Sequence, residues 1–164
     1  MAATRSAARS VTVTTMSAAA TRALGARLAL AGEPGDLICV WGDLGAGKTV
    51  LAKGFGAGLG VTATINSPTF VLMSEYVGRL PLFHLDLYRL ADAADALGGG
   101  LIDERQAAGV TIVEWPDRMA AALPLARLDV HIEGSGDDPR RITIDAGPGL
   151  ERYVAAARDA GEAP

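Results

Sequence analysis

The octapeptide that decides the fold is Gly42-Asp43-Leu44-Gly45-Ala46-Gly47-Lys48-Thr49. It matches the pattern G-x-x-x-x-G-K-[ST], in which glycines allow backbone N–H groups to surround a chain of phosphates. The apolar run 37–41 precedes it and is typical of a strand covered on both faces of a parallel sheet, and residues 50–59 follow it as a helix. A strand, a glycine-rich loop and a helix in this order predict a P-loop within an α/β sheet.

The same loop carries the side chains that a bound triphosphate requires. The helix after it would point its positive N-terminal end at the phosphates, and Lys48 would bring a charge to the β- and γ-phosphates. The hydroxyl of Thr49 would lie where a Mg²⁺ ion binds. The residues that we expect to contact the nucleotide through this loop are Asp43, Leu44, Gly45, Ala46, Gly47, Lys48 and Thr49.

Asp86 is the first of two carboxylates that we predict to be catalytic and metal-binding. A P-loop needs an acid at the C-terminal end of a neighbouring strand, and Asp86 falls late in the β-rich run 82–88. Alternation places it on the same face as His84 and Tyr88. Two points stay open at this stage: Asp86 could instead cap the next turn, and His84 could be catalytic or structural.

Glu114 is the second carboxylate, and it closes the apolar run 110–113. A buried, unpaired carboxylate is costly, so this position favours a polar site at the end of the strand, where ligands bind in open parallel sheets. The alternative is an exposed strand terminus. Trp115 follows directly and could stack on a nucleobase or pack in the core. We predict Trp115 as a nucleotide contact, and Glu114 as catalytic and, with Thr49 and Asp86, metal-binding.

The remaining pattern predicts an α/β fold with a mixed sheet, in which central parallel strands carry antiparallel hairpins and helices cover both faces. The expected elements are a helix capped by Ser17, a hairpin of 70–76 with 82–88, a helical piece at 119–123, and a hairpin of 128–133 with 141–145. We expect a flexible tail over residues 1–9, one P-loop domain over 10–150 and a fraying segment over 151–164.

Composition limits the partners of this chain. Its 164 residues carry a net charge of −4, so it has no general attraction for nucleic acid, and only Lys48 and Lys53 are lysines among 15 basic residues. No apolar run approaches the roughly 20 residues that a membrane-spanning helix needs. We expect a soluble, cytoplasmic protein with no DNA or membrane partner. The lone Cys39 lies in an apolar run and is expected to be a buried thiol.

Four local sequences, in this order and spacing, resemble the bacterial TsaE (YjeE) family of P-loop ATPases. They are GDLGAGKT at 42–49, SPTF at 67–70, HLDLYR at 84–89 and EWP at 114–116, and the resemblance spans about residues 17–145. It implies ATP and Mg²⁺ as cofactors and a Mg-dependent ATPase that supports threonylcarbamoyladenosine modification of tRNA. It also implies TsaD and TsaB homologues as partners, with tRNA reached only through their complex and TsaD as the transferase.

The resemblance also implies residue roles. Lys48 and Thr49 would bind phosphate and Mg²⁺, Asp86 would organise the metal, and Glu114 with Trp115 would lie beside the nucleotide. Ser67, Pro68 and Thr69 would form a switch-like segment. Two positions depart from the family pattern, because Val50 and Asn66 stand where threonines are usual. These departures put in doubt one hydroxyl contact to the α-phosphate and one polar contact in the switch.

Other nucleotide-binding classes compete with an ATPase. A GTPase would need D-x-x-G after the metal strand and an N-K-x-D base reader, but Leu87-Tyr88-Arg89 follows Asp86 and the chain has no such reader. A small-molecule kinase would need an Arg-rich lid, for which Arg140 and Arg141 in a predicted turn are a weak substitute. A nucleotide-gated adaptor without catalysis remains open, because sequence does not set a hydrolysis rate.

Overall fold

The computed structural model describes residues 9–66, 73–89 and 104–161. These ranges contain seven strands: β1 Ser10–Thr15, β2 Leu37–Trp41, β3 Met73–Tyr76, β4 Leu82–Asp86, β5 Val110–Glu114, β6 Leu128–Glu133 and β7 Arg140–Ala146. The strands form one sheet in the order β1-β7-β6-β2-β5-β4-β3. The pairs β6–β2, β2–β5 and β5–β4 are parallel, and β1–β7, β7–β6 and β4–β3 are antiparallel. This mixed α/β sheet confirms the predicted fold class.

Helices cover both faces of the sheet in unequal amounts. Three α-helices, α1 Ala18–Ala29, α2 Lys48–Gly58 and α3 Glu151–Gly161, pack against one face. The short 3₁₀ helix Pro116–Ala122 covers part of the other face, where residues 119–123 were predicted to be helical, and a second 3₁₀ helix spans Glu104–Ala108. None of the helices within the described ranges is long and apolar enough to cross a membrane.

Helix α1 begins as the sequence predicts. The hydroxyl of Ser17 accepts a hydrogen bond from the N–H of Ala20 at 3.0 Å, which satisfies one of the free donors of the first turn. Leu24 and Leu28 are buried on the face that packs against the sheet and its neighbouring helix. The cap and this apolar face together explain why a segment rich in alanine forms a helix with a definite start.

Glycines bring α1 and α2 into close contact. A Cβ atom added to Gly54 of α2 would lie 1.9 Å from the carbonyl oxygen of Arg22 in α1, and one added to Gly58 would lie 2.4 Å from that of Ala26. The backbones therefore approach more closely than any larger residue allows. Because α2 begins at Lys48, this contact also fixes where the phosphate-binding loop meets its helix.

Two segments differ from the sequence predictions. The run Ser10–Thr15, which was assigned no element, pairs along its whole length with β7 as an edge strand. The prediction that residues 151–164 fray is wrong for Glu151–Gly161, which form α3. Tyr153, Val154 and Ala157 of this helix are buried, and Asp36 accepts hydrogen bonds from Arg152 and from the Tyr153 hydroxyl. Burial against the sheet and the hydrogen bonds to Asp36 thus stabilise a helix in a segment whose own sequence is weakly apolar. Residues 1–8 and 162–164 lie outside the described ranges.

Candidate nucleotide-binding site

The phosphate-binding loop runs from the end of β2 to the first turn of α2. Gly45 and Gly47 have φ angles of 83° and 108°, a region that favours glycine, and a Cβ atom at either would meet nothing within 4 Å. Gly42 is needed for space, because a Cβ there would lie 2.8 Å from the carbonyl oxygen of Ile132 in β6. The loop thus combines left-handed backbone, a close approach to the sheet and open space around its tip.

Lys48 folds back across the loop that precedes it. Its ammonium group donates hydrogen bonds to the carbonyl oxygens of Gly42 and Asp43, both at 2.8 Å, and lies 4.1 Å from the centre of the Trp115 ring. Only 5% of the residue is exposed. Burial lowers the pKa of Lys48 from its ordinary value of 10.5, and the carboxylates of Glu114 and Asp86 oppose that shift.

Glu114 is buried at the end of β5, with 2% exposure, so it is not an exposed strand terminus. One carboxylate oxygen accepts a hydrogen bond from the Thr49 hydroxyl at 2.8 Å, and the other lies 2.5 Å from Nε2 of His84, which is completely buried. The chain Thr49–Glu114–His84 links the first turn of α2 to two parallel strands. The structure therefore gives His84 a specific partner in this site, a pairing that alternation along β4 alone did not reveal.

Asp86 lies directly opposite Glu114 in the parallel pairing of β4 with β5. Both line a cleft of about 320 Å³ together with Lys48, Thr49 and Trp115. Oδ1 of Asp86 also accepts a hydrogen bond from the N–H of Tyr88 at 3.0 Å. The turn-capping role that sequence left open is therefore present alongside the placement at the cleft.

Trp115 is one of the residues that line this cleft. It is a non-glycine residue with φ 60°, a conformation that costs roughly 1 kcal/mol or more and that clusters at functional sites. Its ring contacts Tyr88, with the ring centres 4.9 Å apart and the planes at 48°. It also packs against the apolar cluster that contains Phe83 and Met119. The ring thus contacts both this apolar cluster and the Lys48 ammonium.

A second cleft of about 370 Å³ opens on the other side of the loop. It lies between the start of α1, the tip of the loop and the turn that joins β6 to β7, and Arg140 contributes to its wall. Sequence reasoning gave Arg140 no role here, because it lies more than ninety residues from the loop it contacts and no local pattern links the two. Val50 lines this cleft as well.

The oxygen atoms around Thr49 are of the kind that binds a magnesium ion. They are a hydroxyl and a carboxylate 2.8 Å apart, with a second carboxylate across the strand pair. No group of three or more histidine, cysteine, aspartate or glutamate side chains that could enclose a metal occurs in the part of the chain that the structure describes. That is compatible with Mg²⁺, which is usually bound by one or two carboxylates together with phosphates and water.

The switch-like segment at Ser67, Pro68 and Thr69 lies outside the described residues, so its role stays a prediction. Asn66, which precedes it, is exposed. The other residues predicted for the site are all in place around the loop: Asp43, Leu44, Gly45, Ala46, Gly47, Lys48, Thr49, Asp86, Glu114 and Trp115.

Known proteins are similar to this chain in sequence and in fold. The family model described as "Threonylcarbamoyl adenosine biosynthesis protein TsaE" matches residues 15–142. The tRNA threonylcarbamoyladenosine biosynthesis protein TsaE of Bacillus subtilis is 45% identical over 128 residues, which cover 77% of this chain and 79% of that protein. The protein of the same name from Streptomyces coelicolor is 37% identical over 142 residues, covering 82% of this chain and 95% of its own.

A solved structure agrees with these sequence matches. The crystal structure of Bacillus subtilis YdiB superposes with a TM-score of 0.72 and 35% identity, covering 93% of this chain and 94% of that one. The family model alone spans most of the chain, from the end of β1 to β7, and includes the whole loop and both carboxylates. The chain therefore belongs to the TsaE family.

Proposed function

We propose that this protein is a Mg²⁺-dependent ATPase that supports the threonylcarbamoyladenosine modification of tRNA. The observation that carries the proposal is the meeting of Lys48, Thr49, Asp86 and Glu114 in one cleft at the ends of three adjacent parallel strands and the start of α2. The pathway follows from the printed names of the relatives, which are tRNA threonylcarbamoyladenosine biosynthesis proteins.

The loop supports binding of the triphosphate tail. Gly45 and Gly47 keep side chains away from its tip, and α2 begins directly after them, so the positive end of the helix dipole lies beside the same space. Lys48 donates to two loop carbonyl oxygens, and phosphate oxygens would replace them as its partners on binding. Trp115, which lines the same cleft as Lys48 and Glu114, would contact the nucleotide beside the phosphates.

The carboxylates support hydrolysis. Thr49 and Asp86 would hold a nucleotide-bound Mg²⁺ ion, which would neutralise charge on the phosphates. Glu114, fixed by His84, would orient or deprotonate the attacking water. One carboxylate oxygen of Glu114 also accepts the Thr49 hydroxyl, and the lone pairs of that hydroxyl oxygen would still be able to bind Mg²⁺. We propose that hydrolysis by the chain alone is slow.

TsaD and TsaB homologues are the partners that we propose for this chain. With a net charge of −4, it would not hold tRNA by phosphate neutralisation, so contact with tRNA would come through the assembled complex. The partners would complete the site and raise the rate of hydrolysis. Ser67, Pro68 and Thr69 would report the γ-phosphate to that contact. The proposed location is the cytoplasm.

The test of this proposal measures ATP hydrolysis by the protein alone, with TsaB and TsaD homologues, and with free small acceptors. We expect slow hydrolysis alone and faster hydrolysis with the partners. Phosphate transfer to an acceptor would instead indicate a small-molecule kinase. Binding without hydrolysis under any condition would indicate a nucleotide-gated adaptor, and no ATP binding would refute the proposal.

A further inference from the structure

Arg140 joins the phosphate-binding loop to a distant turn. It is the first residue of β7, where its Cα pairs with Thr15 of the edge strand β1. Its guanidinium group donates to the carbonyl oxygens of Ala46 at 2.8 Å and of Gly45 at 3.3 Å. It also donates to the carbonyl oxygens of Gly136 at 3.0 Å and of Asp138. One planar cation thus holds two loop carbonyls and two turn carbonyls.

Holding these carbonyls fixes the direction of the loop amides. The carbonyl and the N–H of a trans peptide unit point in opposite directions. When Arg140 holds the carbonyl oxygens of Gly45 and Ala46 on the outside of the loop, the N–H groups of the residues that follow each of them therefore point to the inside of the loop. The N–H of Ala46 indeed points into the loop and donates to the carbonyl oxygen of Asp43 at 3.0 Å. That oxygen also binds Lys48, so the inward side is the side of the phosphate-binding ammonium.

The loop needs such a support because its own sequence is permissive. Gly45 and Gly47 have no Cβ, and glycine loses more backbone freedom on ordering than any other residue. Arginine suits the task, because its five donors form a rigid planar fork that can satisfy several carbonyl oxygens at once. A lysine at this position would offer donors from a single nitrogen and could not span the loop and the turn in the same way.

We infer that Arg140 is a positioning residue of the phosphate-binding loop, which it holds in its phosphate-ready shape by tying it to the β6–β7 turn. It acts through the backbone of Gly45 and Ala46 rather than on the phosphates. The inference rests on the proposed function only in taking a triphosphate as the ligand. Its mechanical part, the ordering of residues 43–47 by Arg140, is independent of that function.

The neighbouring Arg141 provides a matched control. It has the same charge and lies on the same strand, but it is exposed and pairs across the sheet with Thr14 and Glu133. Arg140→Ala and Arg141→Ala therefore change the net charge equally, and only the first removes the contact with the loop. Arg140→Lys keeps the charge and removes the fork, which separates the effect of geometry from that of electrostatics.

The experiment compares these three variants with the wild-type chain. It measures Mg²⁺-dependent binding of ATP and of inorganic tripolyphosphate by calorimetry, and hydrogen exchange of the amides of residues 43–47. We expect Arg140→Ala to weaken both ligands by about tenfold or more and to speed exchange in the loop. The affinities and exchange rates of Arg140→Lys should fall between those of Arg140→Ala and the wild type. The affinities of Arg141→Ala should stay within about twofold of the wild-type values. The unfolding midpoint of every variant is measured in parallel, so that affinities and exchange rates are compared only between fully folded proteins.

Three results would overturn the inference. One is equal tripolyphosphate affinity in Arg140→Ala and Arg141→Ala. Another is weaker binding of ATP to Arg140→Ala with unchanged binding of tripolyphosphate, which would make Arg140 a nucleoside contact. The third is unchanged exchange of the loop amides. If Arg140→Ala does not fold, Arg140→Lys decides by the same measurements. If the wild-type chain binds neither ligand, the proposed function fails, and hydrogen exchange alone then decides whether Arg140 orders the loop.

Discussion

Substituting alanine for Gly54 tests the claim that glycines allow the close contact between α1 and α2. The added Cβ would lie 1.9 Å from a backbone oxygen of Arg22, so the helices would have to separate by about 1.5 Å to restore a contact of 3.4 Å. Overpacking of this kind costs about 3 kcal/mol when no side chain can rotate away. The better helix propensity of alanine returns about 1 kcal/mol.

The expected net loss is therefore about 2 kcal/mol, which lowers the unfolding midpoint by about 4–8 °C in a chain of this size. Gly56→Ala in the same helix is the control, because it brings the same propensity gain but meets the tip of the Ile65 side chain at 2.0 Å rather than a backbone atom. Thermal unfolding followed by circular dichroism measures both variants. A Gly54→Ala midpoint equal to or above that of Gly56→Ala would refute the packing argument.

Further predictions concern the site and the buried thiol. Lys48→Ala should weaken calorimetric ATP binding by at least about tenfold with an unchanged far-UV spectrum, and retained affinity would contradict the P-loop assignment. Glu114→Gln should keep nucleotide affinity within a few-fold and lower turnover with partners by about 10²–10⁴, and a wild-type rate would make the carboxylate structural. Asp86→Asn should raise the Mg²⁺ concentration needed for half-maximal activity, and an unshifted requirement would remove Asp86 from the metal site. Burial raises the pKa of Cys39 to about 12, so the thiol should resist alkylation at pH 8 until the chain unfolds, and rapid modification of folded protein would contradict its burial.

Local sequence predicted the elements whose signals are contiguous. The β2–loop–α2 unit follows from an apolar run, a glycine-rich octapeptide and a helix, and the β6–β7 hairpin follows from alternation on either side of a turn. Asp86 and Glu114 were each predicted for the site because each falls at or near the end of a predicted strand. These predictions needed no knowledge of which distant segments pair.

The features that sequence missed depend on such pairing. β1 consists of Ser10 and five short β-branched residues, and its partner β7 lies about 130 residues away. α3 depends on Asp36, more than a hundred residues earlier, for the hydrogen bonds of Arg152 and Tyr153. The contact of His84 with Glu114 needs the register of β4 against β5, and the contact of Arg140 with the loop needs the position of β7. Strand and helix propensities and hydrophobic periodicity depend on neighbouring residues, so they do not predict these long-range contacts.

The position of Lys48 over the ring of Trp115 gives the protein a built-in optical reporter. A cation held 4.1 Å from an indole influences its emission, and a phosphate that draws the ammonium away from the ring would change that emission. The only other tryptophan, Trp41, donates to Asp129 and stacks on His131, so it forms a separate background signal. The emission of Trp115 in unlabelled protein mixed with nucleotide would therefore report, in real time, the rate at which the surroundings of this ring change on binding.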